Sequence, residues 1–170
     1  MEFLEWIETI PESKRVFVDE SGINQFIHQA YGWAKRGEKI YEAISGKRYG
    51  RENFIAGYCD SKPITPFCYQ GNCNTEIVCF WLKHFLLPAL KPGQWVIMDN
   101  AAFHRSNEIR DLITQAKCHL KFLPPYSPDL NPIEKFWGHF KKKIADYLCH
   151  VNSLAEAVDL TFKVFIFQTE

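Results

Sequence analysis

Three acids stand where local structure does not ask for them. Asp19 follows the β-type run Val16-Phe17-Val18, and Asp99 follows Trp95-Val96-Ile97-Met98. Aspartate has poor strand propensity, so one that closes a buried strand is a cap or belongs to a site. In open α/β sheets, strand ends are where sites gather. Glu134 opens a helical stripe 35 positions after Asp99. Carboxylates on two strand ends and a helix start make a hard oxygen donor set, suited to Mg2+ or Mn2+ and poorly suited to zinc. Carboxylates that hold a pair of such ions are a recurring solution for in-line phosphoryl transfer. Residue chemistry alone therefore reaches a magnesium phosphotransferase or nuclease.

Each acid also has a purely structural reading. Asn131 as N-cap, Pro132 as first helical residue and Glu134 three residues on fit a capping box. Asp19-Glu20-Ser21-Gly22 and Asp99-Asn100 have turn-forming composition. Asp129 is a fourth acid nearby, in the turn and not at the helix start.

The elements that must position these residues follow from periodicity. Residues 3–10 have helical spacing up to Pro11. Strands are expected at Val16 to Val18, Tyr31 to Tyr41, Asn53 to Tyr58, Ile64 to Tyr69, Gln94 to Met98 and His119 to Leu123. Asn74 caps a helix through Phe85, Ser106 caps one through Ile113, and Ile133 to Leu148 carries a helical stripe, with a last helix from Ser153. Strands first, then alternating helix and strand, predict a mixed α/β sheet with helices on its faces.

A hydrophobic fraction of 46% over 170 residues suits one core. The formal net charge is zero, but zero is a sum. Residues 1–13 carry −4, residues 151–170 carry −2, and residues 14–150 hold 19 bases against 13 acids, +6. Two basic runs stand out: Lys35 to Arg51, which includes Lys35 and Arg36, and Lys135 with Lys141-Lys142-Lys143. Flanking acidic motifs, such runs point to phosphate contact. The six cysteines form no CxxC pair, and Cys68 and Cys73 with His84 match no tetrahedral zinc spacing, so they read as isolated thiols in a reducing compartment. The first residues are acidic where a signal peptide is basic, and no apolar run reaches membrane-spanning length, so no membrane partner is expected.

Three segments together carry a family resemblance: Val16-Phe17-Val18-Asp19-Glu20-Ser21-Gly22, Val96-Ile97-Met98-Asp99-Asn100-Ala101-Ala102-Phe103-His104, and Leu123-Pro124-Pro125-Tyr126-Ser127-Pro128-Asp129-Leu130-Asn131-Pro132-Ile133-Glu134-Lys135-Phe136-Trp137. Over residues 14–150 the chain resembles the catalytic domain of mariner-type DDE transposases, most closely the bacterial insertion-sequence branch. Trp33-Ala34-Lys35-Arg36-Gly37 looks like the family's second-strand motif.

The resemblance implies a ribonuclease-H-like fold with a mixed five-stranded central sheet and helices on both faces. It implies that Asp19, Asp99 and Glu134 are the catalytic, metal-binding triad for two Mg2+ ions, with Mn2+ as substitute. Asn100 and His104 match the motif after the second Asp and would support it; the proline-rich loop would position Glu134. The implied reaction is strand cleavage at transposon ends and strand transfer into target DNA; the two basic runs supply the expected DNA contacts Lys35, Arg36, Lys135, Lys141 and Lys142. Residues 1–13 look like a linker helix ahead of a catalytic domain at 14–170, without the helix-turn-helix region that reads transposon ends. Implied partners are transposon-end and target DNA, a second copy of the chain on DNA, and a separately encoded helix-turn-helix product. The implied place is the bacterial cytoplasm, on the nucleoid. A nuclease acting without transposition and a catalytically silent remnant that modulates transposition are the competing readings.

Overall fold

A computed structural model describes residues 2–24 and 50–167. Val16, Val18, Val96 and Met98 are buried toward one side of a sheet, while Phe17 and Ile97 are buried toward the other. That alternation is the two-residue period of strands covered on both faces. The strands are β1 (Arg15–Asn24), β2 (Arg51–Cys59), β3 (Lys62–Tyr69), β4 (Trp95–Met98) and β5 (His119–Phe122). They form one sheet in the order β3-β2-β1-β4-β5. β1, β2 and β3 are antiparallel; β1, β4 and β5 are parallel. The expected mixed five-stranded sheet is present.

Helices cover both faces. α1 (Phe3–Glu8) sets Ile7 against Phe17, Ile97 and Leu123. On the first face lie α2 (Thr75–Trp81), a π-helical turn (Leu82–Leu86), α3 (Leu87–Ala89) and α4 (Asn107–Gln115). Asn74 and Ser106 accept from Ile77 and Ile109 N–H groups, as capping predicts. The helix does not stop before Pro88, because the wider π turn accommodates the ring and missing N–H of proline. The second face is covered by α5 (Ile133–Leu148) and α6 (Leu154–Phe167), which bury Phe136, Trp137, Phe140, Ile144 and Phe162 against Phe54 and Ala56. Among the described residues, no helix is long and apolar enough to cross a membrane. All six cysteines are free thiols.

Two expectations are corrected. Asp19 to Gly22 is not a turn but the middle of β1, with Asp19 opposite Ala56 and Gly22 opposite Asn53. Pairing along β2 supplies the hydrogen bonds that override turn propensity. A Cβ on Gly22 would stand 2.6 Å from Arg51 and Asn53 side-chain atoms, so glycine is what lets those neighbours cross the strand. The capping box does not form either. Asn131 takes the extended backbone that a residue before proline requires, φ −104° and ψ 102°. Its side chain is buried, and its Oδ1 meets no partner. Only its carbonyl serves the helix, accepting from the Glu134 N–H at 3.1 Å. The expected strand at Tyr31 to Tyr41, the Trp33–Gly37 motif and the proposed DNA contacts Lys35 and Arg36 lie outside the described residues.

Candidate active site

The parallel pairing of β1 with β4 ends at Phe17 opposite Ile97. Two residues further along each chain stand Asp19 and Asp99, so the sheet register brings the two aspartates to the same level. The loop after β5 leads to α5, whose second residue is Glu134. Asp19, Asp99, Asn100 and Glu134 line one open cleft of about 440 Å³ together with Arg105, Asn131 and the loop from Leu123 to Pro128. The three acids singled out in sequence are thus gathered. Asp129, by contrast, does not line the cleft.

Two of the carboxylates are held from behind. Trp137, one helical turn after Glu134, donates its indole N–H to Asp19 Oδ2 at 3.0 Å. The ring is buried against Phe54, with centroids 5.0 Å apart. Asp99 is held by His104, whose Nδ1 stands 2.6 Å from Asp99 Oδ1 and whose Nε2 stands 2.9 Å from Glu20 Oε1. The Ala101 N–H donates to the same Asp99 oxygen at 3.1 Å. His104 is completely buried, on a 3-10 turn (Ala102–Arg105) tied to α2 by the Thr75 hydroxyl, which donates to the Phe103 carbonyl at 3.1 Å.

The electrostatics follow from this arrangement. Burial raises the Asp19 pKa, and the charges of Glu20, Glu134 and Asp99 raise it further, to about 8. Burial works against the His104 cation, but its hydrogen bonds to Asp99 and Glu20 outweigh that and lift its pKa to about 9. Both ring nitrogens therefore carry protons at neutral pH, and the imidazolium donates to both acids. The His104 hydrogen bond holds the Asp99 carboxyl below its usual range despite partial burial.

Sequence reasoning marked His104 without its partners, and missed Glu20, Trp137, Arg105 and Tyr126. Glu20 could have been found as the second acid of the Asp-Glu pair; Trp137 carries no local signal. Tyr126 stands fully exposed on the cleft rim in left-handed backbone, φ 57°, beside Pro125. Asn100 lines the cleft and accepts the Arg105 Nε–H on its carbonyl at 3.2 Å. Lys135, Lys141 and Lys142 all lie on α5, but none lines this cleft.

The donor set fits divalent cations. It is made of oxygen only; like charges raise Asp19, and Asn131 Oδ1 lacks a partner at the same cleft. Among the described residues, no three acid, histidine or cysteine side chains already close around a common point. The fit is therefore one of donor chemistry.

Comparison with known proteins gives a family match and a shared fold. The profile of the DDE superfamily endonuclease family matches residues 14–154. The chain is 52% identical over 99 residues to the Tc3 transposase of Caenorhabditis elegans, covering 58% of this chain and 27% of that protein. It is 25% identical over 147 residues to the Tc1 transposase of the same organism, covering 78% of this chain and 52% of that one. The chain thus spans about a quarter to a half of these relatives. Among solved structures, the Mos1 transposase paired-end complex with left transposon end superposes with a TM-score of 0.65 at 16% identity, over 95% of this chain and 56% of that chain. The Mos1 mariner paired-end complex with Mn gives a TM-score of 0.60 at 15% identity, over 95% and 55%. The shared fold is the ribonuclease-H-like one.

Proposed function

The chain belongs to the DDE superfamily endonuclease family, and from that premise we propose that it is the catalytic part of an insertion-sequence transposase. It cuts DNA at element ends and joins freed 3′-hydroxyls to target DNA, using two Mg2+ ions, with Mn2+ as substitute. The observation that carries this reading is the convergence of Asp19, Asp99 and Glu134 on one open cleft, with Asp19 kept protonated to about pH 8 by burial and crowded negative charge. Such a site is relieved by cations.

Asp19, Asp99 and Glu134 would hold the ions, which when bound supply charge stabilisation to the attacking and leaving oxygens of an in-line displacement. The protein's own residues do the rest. Trp137 fixes Asp19 Oδ2 and leaves the other oxygen for the cleft. His104 fixes Asp99 Oδ1 in the same way, anchored on Glu20. Arg105 is tied at Nε to the Asn100 carbonyl and keeps further N–H groups for a phosphate. No nucleophilic side chain is required, because water or a DNA 3′-hydroxyl attacks.

The finer reading adds a homodimer on DNA, a helix-turn-helix module or separately encoded partner that reads the ends, and action at the bacterial nucleoid. The decisive experiment incubates the chain with pre-nicked or branched end DNA plus Mn2+ or Mg2+. Wild type yields cleaved and joined products and Asp99→Asn yields none; equal products from both would refute the triad.

A further inference from the structure

We propose that a second surface, separate from the carboxylate cleft, binds the phosphate backbone of DNA: a groove of about 540 Å³ lined by Lys62, Lys135, His139 and Lys143. It rests on the DNA-processing reading above and adds to it where the strand runs after leaving the cleft.

Lys135, His139 and Lys143 are spaced i, i+4 and i+8 on α5, which puts them on one face of the helix. Lys62 comes from the opposite bank, just after the β2–β3 turn. Two successive non-glycine residues in that turn have left-handed backbone, Asp60 at φ 49° and Ser61 at φ 61°, the geometry of a tight primed hairpin that fixes where Lys62 emerges. Among the described residues, no carboxylate lines the groove; Asp60 lines a neighbouring hollow with Glu12 and Arg15 instead. Among the described residues, none of the three lysines makes an ion pair, the pairs formed being His104 with Glu20 and Asp99, and Lys163 with Asp159.

Uncompensated like charges gathered on one surface call for a polyanion, and apolar walls focus their field. The walls are aromatic: Phe136 packs on Tyr58 at 5.8 Å and on Phe165 at 5.3 Å between ring centroids. Lys143 is steadied by Tyr147, with Nζ 5.0 Å from the ring centroid.

The first turn of α5 borders both surfaces: Glu134 lines the cleft and its neighbour Lys135 the groove. From Lys135 to Lys143 the helix rises about 12 Å, the length of roughly three to four nucleotides of one strand. Contacts of this kind position DNA without reading its sequence. Lys141, grouped with Lys135 in the sequence reading, sits about 120° round the helix from it and belongs to another surface.

The test is duplex DNA binding by the full chain in EDTA, measured by fluorescence anisotropy across a KCl series. The variants are Lys62→Gln/Lys135→Gln/Lys143→Gln and, as control, Lys83→Gln/Lys91→Gln, whose lysines are exposed elsewhere. The triple variant should lower the slope of log K against log[salt] by about 2 to 3 and weaken binding more than tenfold at 0.1 M salt, equally for unrelated sequences. The control should match wild type. An unchanged slope in the triple variant, while wild type binds DNA and makes Mn2+-dependent cuts, overturns the groove and leaves the function standing. A wild type that neither binds nor cuts DNA overturns both.

Discussion

Trp137 Nε1 lies 3.0 Å from Asp19 Oδ2, across 118 positions of sequence. The indole is wedged among Phe54, Phe136 and Phe140, with ring centroids at 5.0, 4.9 and 5.6 Å. A close-packed aromatic core therefore sets one oxygen of a cleft carboxylate. The residue that does so lies three positions after the third acid, so the helix that delivers Glu134 also orients Asp19.

Trp137→Phe keeps part of the ring packing, removes the donor and leaves a small cavity. The hydrogen bond is worth about 1 kcal/mol and the cavity adds a cost of about 1 to 2 kcal/mol, so the melting temperature should drop by roughly 10 °C. Mn2+-dependent nicking should drop about tenfold, the scale of a lost positioning contact. A rate equal to wild type would show that Asp19 needs no holding.

His104→Ala leaves Glu20 and Asp99 without the cation between them. The cost should be about 3 kcal/mol, because removing the buried cation strands the largely buried Glu20 charge, while half-exposed Asp99 is screened by solvent. Urea titration at pH 7 measures it. Because folding raises the His104 pKa from 6.5 to about 9, the imidazolium's contribution is full below pH 6.5 and is lost as pH rises through 9. The gap between wild type and the alanine variant should narrow accordingly between pH 7 and 10.

Asp19 titrates in the same sense. Its folded pKa of about 8 lies above the unfolded value of 3.8, so the folded state binds the extra proton between them. Stability of the metal-free chain is favoured at low pH and lost as pH rises through 8, by up to about 1.4 kcal/mol per pH unit. Asp19→Asn should remove that slope, melting above wild type at pH 8 and converging with it near pH 4. Parallel melting curves across this range would contradict the crowding of the carboxylates.

Divalent ions should reverse that penalty. At a concentration a hundred times its Kd, Mn2+ should stabilise the chain by about 2.7 kcal/mol, and chelation should return it to the metal-free melting temperature. The shift should grow from pH 6 to 8, as Asp19 gives up its proton to the metal. Glu134→Gln should lose most of it. Differential scanning fluorimetry with and without EDTA reads all three outcomes.

The candidate acids were legible in the chain itself. Aspartates after Val16-Phe17-Val18 and Trp95-Val96-Ile97-Met98, and a glutamate opening an apolar helical stripe, are local patterns. So are the caps at Asn74 and Ser106 and the alternation that makes β4 and β5 strands. Such features depend on residues within one or two turns, where propensity and periodicity act.

What the chain could not declare depends on partners far along it. Asp19 lies within a strand because β2 pairs with it, against a turn-like local composition. Asn131 does not cap α5, because Pro132 dictates its backbone and its side chain is buried at the cleft. The bond from His104 to Glu20 spans 84 positions, and the lysines of α5 are sorted by helix phase and by the hairpin that faces them. Sequence alone determined which three acids are the candidates for the chemistry. Only sheet register and helix packing decided which oxygen each carboxylate keeps for the cleft, because those distances are set by contacts between elements and not within them.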